Sequence, residues 1–358
     1  MRAKALTKKI YRKKQKGGNP HVPFTDIGEG YSKSIYIEPT VKDTAVLIPF
    51  YNPANFKRIL KNVLYIMKIM KEKHIPCFVG ECVFNDAPQQ IPDATIVLRS
   101  NSYMFYKEQI INRLEKLVPE HFTKLVILDG DILFDAPNWL DKISKTLDTH
   151  NIIQPFSKCC WLTPDNKLIQ TCKHGYAYAI YNNIEINANN LNKYNPGFTW
   201  AMTRSIFRKL GGLYENAIIG GGDFFFTLNF FKNGIPDYWF KTVTKKNSHV
   251  VHMIADMWKK YYENFKKVNP TIGYTDMKVL HLFHGTQQNR QYSSRYDTYT
   301  RNFPKKWEEA IVFNKDGLTE FRDPSLRSSL LPYFTSRNED ITIEDVNAQK
   351  SKSHTRKH

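Results

Sequence analysis

The chain has 358 residues, 41% of them hydrophobic, enough for one large domain with a real core. Its formal net charge is +18, but eight basic residues in 1–16 and four in 350–358, with no acid in either stretch, account for twelve of those charges and leave +6. That distribution argues against a nucleic-acid-binding fold, whose charge should lie on the folded surface rather than in solvated arms.

Residues 1–40 read as a basic arm and an irregular lead-in. The arm and the basic end of the chain are available for contact with an anionic surface. Thr44–Phe50 (TAVLIPF) is a short apolar run closed by Pro and Asn, which predicts a buried strand. Apolar residues from Phe56 to Met70 then recur at helical spacing. Strands are expected at Pro76–Phe84, Thr95–Leu98, Lys124–Leu128 and Ile152–Phe156, with helices at Tyr106–Val118 and Trp139–Leu147. Alternation of this kind predicts an α/β fold: a mainly parallel sheet with helices on both faces and ligands at the carboxyl ends of the strands. Asn52, Asp86, Arg99, Asp129 and Asp131 all stand just past strand ends, so they should converge on one cleft.

The second half is less regular. Trp161–Asn195 is polar and reads as loops. Phe198–Met202 is an expected strand, followed by helices at Arg204–Leu210, Phe224–Lys232 and Val250–Val268 and a strand at Lys278–Phe283. The resulting division is 41–160 for a nucleotide-binding half, 161–290 for an acceptor half, 291–335 for a C-terminal extension and 336–358 for a charged tail.

Asp129-Gly130-Asp131 directly follows the apolar run KLVIL. Two carboxylates there can hold a hard divalent cation, Mn²⁺ or Mg²⁺, against an anionic diphosphate. The competing reading is a solvated turn. Asp86 is a candidate partner for a base edge or a turn residue, and Arg99 and Lys107 are candidate phosphate contacts or surface cations. Gly220-Gly221-Gly222 allows close approach of backbone to a ligand, and Asp223 is a candidate general base or a helix cap. Trp200 could stack on a sugar or pack in the core. In His281-x-x-His284, strand alternation puts the two rings on opposite faces, so His284 alone is expected to ligate.

The five cysteines are odd in number and irregular in spacing, which predicts reduced thiols rather than a disulfide framework. The basic N-terminus leads into no apolar segment, and no stretch is long enough to span a bilayer, so a cytoplasmic setting is expected.

Together, Val46–Asn52 (VLIPFYN), Phe105–Leu114 (FYKEQIINRL), Leu125–Leu133 (LVILDGDIL) and Asn195–Asp223 resemble segments of the GT-A glycosyltransferases, particularly the β-1,4-galactosyltransferases and family-2-like enzymes. The resemblance spans roughly 44–290. It implies a GT-A fold and a metal-dependent, inverting transfer of a hexose from a nucleotide-sugar, most naturally a UDP-sugar, to an acceptor hydroxyl. It further implies that Pro49, Tyr51 and Asn52 form a nucleotide loop. Asp129 would contact ribose or the metal's water, Asp131 and His284 would ligate the metal, and Asp223 would be the base. Gly221, Gly222 and Trp200 would face the acceptor. Gly222 departs from the family pattern, where Glu is frequent, which leaves the acceptor open among a glycan, a protein and modified DNA. A nucleotidyltransferase is the rival enzyme, but it should carry a Gly-rich loop after the first strand, and PFYNP has no Gly.

Overall fold

The computed structural model describes residues 36–346, apart from 168, 188, 232–248, 293 and 343. The basic arm, the chain's last twelve residues and the predicted helix end at Lys232 lie outside that set. A seven-stranded sheet runs in the order β11-β6-β10-β4-β1-β2-β3. Its strands are β1 (Thr44–Tyr51), β2 (Cys77–Phe84), β3 (Ile96–Ser100), β4 (Lys124–Leu128), β6 (Ile152–Gln154), β10 (Thr199–Thr203) and β11 (Ile272–Tyr274). Every pairing is parallel except the two made by β10. This is the mainly parallel α/β sheet that the alternating pattern predicts.

The apolar strands are continuous because both faces are covered. Along β1, Val46, Ile48 and Phe50 enter one core, while Ala45 and Leu47 enter another. On the first face lie α1 (Lys57–Glu72) and α3 (Trp139–Leu147), which bury Val63, Ile66, Trp139 and Ile143. On the second lie α2 (Lys107–Leu114) and α5 (Arg204–Lys209), through Ile111, Leu114, Ile206 and Phe207. Each large side chain fully buried this way contributes roughly 1.5–3 kcal/mol.

A second, five-stranded sheet has the order β5-β12-β7-β8-β9. It comprises β5 (Ile132–Phe134), β7 (Lys158–Leu162), β8 (Ile169–Gly175), β9 (Tyr194–Asn195) and β12 (Lys278–His281). The expectation that Trp161–Asn195 is mostly loop is therefore corrected: it holds part of a hairpin and the short helix α4 (Tyr176–Tyr181). Cys160 and Cys172 stand opposite each other on β7 and β8, with Cα atoms 4.1 Å apart, and form a disulfide. Antiparallel pairing brings these two thiols together where linear spacing gives no hint, so the expectation of reduced thiols fails for this pair. Cys77, Cys82 and Cys159 remain free.

Residues 336–346, expected to begin a charged tail, belong to the fold. The Asp340 carboxylate accepts from the backbone N–H groups of Lys57 and Arg58 at 3.0 and 2.7 Å, capping the otherwise open N-terminus of α1. Glu339 and Ile341 are buried beside it. Among the described residues no helix is long and apolar enough to cross a membrane.

Candidate active site

The carboxyl ends of β1 and β4 open into a cavity of about 510 Å³. Its walls include Pro49 and Tyr51 at the end of β1 with Asn52 just past it, Asp129 and Asp131 after β4, and Gly221, Gly222 and Asp223 at the entry to α6 (Gly222–Leu228). The shared cleft expected for the strand-end residues thus forms for Asn52, Asp129 and Asp131. It does not form for Asp86 and Arg99. Asp86 sits in an exposed turn. Arg99 lies on the edge strand β3 and donates to the carbonyls of Asn85 and Ala87 at 3.4 and 3.3 Å. Neither lines the cavity, because β2 and β3 are the last two strands at that edge of the sheet. Asn52 lines the cavity, but its amide is occupied by Phe56 and by Gln90, so it shapes the loop.

Asp131 stands at the centre of a largely buried polar cluster. Strand β5 begins directly after it and pairs with β12, and Leu282 N–H donates to the Asp131 carbonyl at 2.8 Å. The strand then ends at His281, and the chain turns so that His284 comes back to the same place. The period-two argument that admitted only one histidine is therefore corrected: the strand stops before it can separate the rings. His284 Nε2 lies 2.6 Å from Asp131 Oδ2 and 3.1 Å from His281 Nε2. The ligating atoms of Asp131, His281 and His284 all fall within 4.8 Å of one another.

Burial and mutual contact shift the charge state of every member of this cluster. Burial alone would raise the Asp131 carboxyl, but His281 and His284 hold it well below the usual carboxylate range. Burial pushes His281 down to about 3, keeping it neutral. Burial and Arg290 act downward on His284, and Asp131 and Glu339 outweigh them and raise it. Asp131 Oδ1 and His281 Nδ1 are buried with no hydrogen-bond partner. Two imidazoles, a carboxylate and orphaned donor atoms fit a divalent transition ion, Mn²⁺ more than the all-oxygen preference of Mg²⁺. Glu339 stands 3.4 Å behind His284 Nδ1 and also pairs with Arg337, the place of a carboxylate that orients a ligating imidazole.

Asp129 has a different setting from the one expected for a metal ligand. Its carboxylate is 2.6 Å from Lys107 Nζ, and the same ammonium reaches both oxygens of Asp223 at 2.9 and 3.0 Å. Burial would strip the charge from Lys107, but Asp129 and Asp223 more than offset it and hold the ammonium. Burial raises the Asp129 carboxyl to about 7, against the pull of Lys107. Lys107, expected to meet a phosphate, thus bridges two acids across the cavity. Phe198, at a left-handed φ of 84°, places its carbonyl on Asp129 N–H at 3.0 Å and stacks its ring on His281.

Gly221 has a φ of 89°, and a Cβ there would sit 2.8 Å from the Tyr296 hydroxyl, so both backbone geometry and space demand glycine. Trp200 does not line this cavity. It is 3% exposed, donates to the Pro196 carbonyl at 2.9 Å, and packs on Phe226 and Phe230. Its β10 position faces the second core, which is why an indole here is structural.

Several site residues escaped the sequence reading. Glu108, next to Lys107, faces the cavity from α2, and burial with Asp223 nearby raises its carboxyl to about 8. Arg290, Arg295, Arg337 and Glu339 all come from beyond residue 285. The hairpin of β7 and β8 adds Trp161 and Lys173 to the wall. Only the clustered Arg and Tyr of 290–296 (RQYSSRY) offered a linear signal.

No protein-family profile matches the sequence, and no curated protein is similar to it. Solved structures that it matches include the catalytic domain of Drosophila β1,4-galactosyltransferase 7, in complex with xylobiose, at 12% identity and a TM-score of 0.33. That match covers 65% of each chain, so this chain spans about two thirds of that structure's length. A nucleotide-diphospho-sugar transferase from Desulfovibrio desulfuricans, itself named as provisional, matches at 8% identity and a TM-score of 0.28, over 82% of this chain and 97% of the other. At such shallow overlap neither a substrate nor a residue's role passes from those proteins to this chain.

Proposed function

We propose that the chain is a metal-dependent glycosyltransferase that moves a sugar from a nucleotide-sugar, in our reading a UDP-sugar, to an acceptor hydroxyl with inversion. The observation that carries this is the Asp131–His281–His284 cluster lying in one cavity with the Lys107-bridged pair Asp129 and Asp223. Asp131, His281 and His284 would hold Mn²⁺, which when bound supplies Lewis-acid stabilisation to a departing diphosphate. Asp129 is placed to accept from a ribose hydroxyl. Lys107 holds the Asp223 carboxylate by both oxygens and so fixes its aim. Asp223 takes the proton from the acceptor hydroxyl, and Gly221 and Gly222 let Tyr296, Arg295 and Glu108 close against the backbone beside it. Glu108 and Tyr51 close the wall between these groups and exclude water. The sugar moved, galactose or another hexose, and the acceptor, whether glycan, protein or modified DNA, follow from the binding tests.

The test is a thermal-shift screen of UDP-, GDP- and dTDP-sugars with and without Mn²⁺, on the native chain, Asp131→Ala and Asp223→Ala. A UDP-sugar should stabilise the native chain only with Mn²⁺. Asp131→Ala should abolish that shift. Asp223→Ala should keep it and lower turnover by ~10²–10⁴-fold. Donor binding that ignores Mn²⁺, or turnover unchanged in both variants, would sink the proposal.

A further inference from the structure

Arg295 opens the short helix α7 (Arg295–Thr298) and is 5% exposed. Among the described residues no carboxylate pairs with it. Its Nη1 donates to the Tyr333 hydroxyl at 3.3 Å and its Nη2 to the Tyr296 hydroxyl at 3.4 Å, while Nε is buried with no acceptor. The rings of Phe105, Tyr292, Tyr296 and Tyr333 surround the guanidinium, with centroids 5.2–6.0 Å from its central carbon. A guanidinium does not shed its proton in a protein, so the charge persists. Ring faces and long hydroxyl contacts relieve a buried charge only in part. Such a group is incomplete until an anion joins it.

The anion's route is visible. Arg295 lines the cavity, and its Nη2 lies 3.3 Å from where a Cβ of Gly221 would stand. Gly221 is two residues before Asp223, so Arg295 borders the glycine turn that leads into Asp223. The fork of a guanidinium matches two oxygens of a phosphate or carboxylate. We propose that Arg295 anchors an oxyanion subsite that receives a phosphate or carboxylate group of the substrate. The inference rests on the transferase reading only for its naming of sources: the oxyanion belongs either to the donor's diphosphate or to an acidic acceptor. The placement beside Gly221 favours the acceptor.

The experiment compares the full-length native chain with Arg295→Gln and Arg295→Lys. Binding is measured by calorimetry for UDP with Mn²⁺, and for inorganic phosphate and glucuronate added on top of UDP and Mn²⁺. Melting of the ligand-free proteins is recorded alongside. Arg295→Gln should melt at or above the native temperature, since it removes a charge that lacks a counter-ion. It should also weaken at least one probe tenfold or more. A loss confined to UDP assigns the oxyanion to the donor, and a loss confined to phosphate or glucuronate assigns it to the acceptor. Native affinity for every probe in Arg295→Gln overturns the subsite. If that variant fails to fold, Arg295→Lys decides: tenfold weaker binding of a probe supports the fork, and undiminished binding of all probes rejects it. A native chain that binds phosphate or glucuronate but not UDP counts against the transferase reading alone; one that binds none of the probes overturns the subsite too.

Discussion

Two arginines are buried to nearly the same depth and are treated in opposite ways. Arg204, 4% exposed, sits where α5 meets the end of α2. Its Nε reaches Glu115 at 2.5 Å, and its Nη atoms donate to the carbonyls of Pro119, Glu115 and Val118 at 2.8, 2.9 and 2.8 Å. Arg295, 5% exposed, has hydroxyls and ring faces but no carboxylate among the described residues. Where a guanidinium serves the fold, each arm is given a strong acceptor. Arg295, at the cavity, is given only two long hydroxyl contacts. The difference marks which polar groups stabilise the chain and which await a ligand.

The largest expected effect tests the first half of that contrast. Arg204→Met should cost about 3 kcal/mol in urea unfolding, because it leaves the buried Glu115 to Arg208 alone and strips four carbonyls of their donor. Next comes the cation site. Glu339→Gln should weaken Mn²⁺ binding by roughly 10–100-fold in calorimetry, by loosening the carboxylate behind His284. Unaltered affinity would make Glu339 a counter-ion for Arg337 and no more.

A smaller effect should follow pH. The Glu108 carboxyl is raised to about 8 in the fold from an ordinary value near 4.5. The folded chain therefore holds this proton more tightly than the unfolded one, and its stability falls as pH climbs between those values. Glu108→Gln cannot ionise, so its melting temperature should gain on the native one from pH 5 to pH 8, by on the order of a few degrees. A constant difference across that range would show that Glu108 is ionised throughout. Smallest of all, Arg295→Met should change ligand-free stability by less than about 1 kcal/mol. A loss equal to that of Arg204→Met would erase the contrast between the two arginines.

The central sheet was legible because KLVIL and TAVLIPF are buried on both faces and so read as unbroken apolar runs. Asp131 and Asp223 were legible for the same reason, since strand ends and a glycine run point at a cleft whatever the rest does. The hairpin was not. The β8 segment IQTCKHG leaves Gln170, Thr171 and His174 exposed, and its pairing with β7 comes from opposition across a turn. His281 was set aside because strand alternation was extended three residues past the strand's true end. Asp86 and Arg99 failed because a strand-end rule gives a level in the sheet, not a distance from the cavity. Residues 337–341 (RNEDI) look like a solvated run, and only the folded chain shows Asp340 capping α1 and Glu339 buried against His284.

The pairing of Glu339 with His284 sets an order of events during synthesis. Asp131 is made first, His281 and His284 follow on the far side of the second sheet's hairpin, and Glu339 comes after them all. A nascent or clipped polypeptide ending before residue 337 would carry the aspartates and histidines without the group that steadies them and without the cap on α1. A shortened chain of that kind should hold Mn²⁺ more weakly and melt earlier than the full one, although every proposed ligand is present.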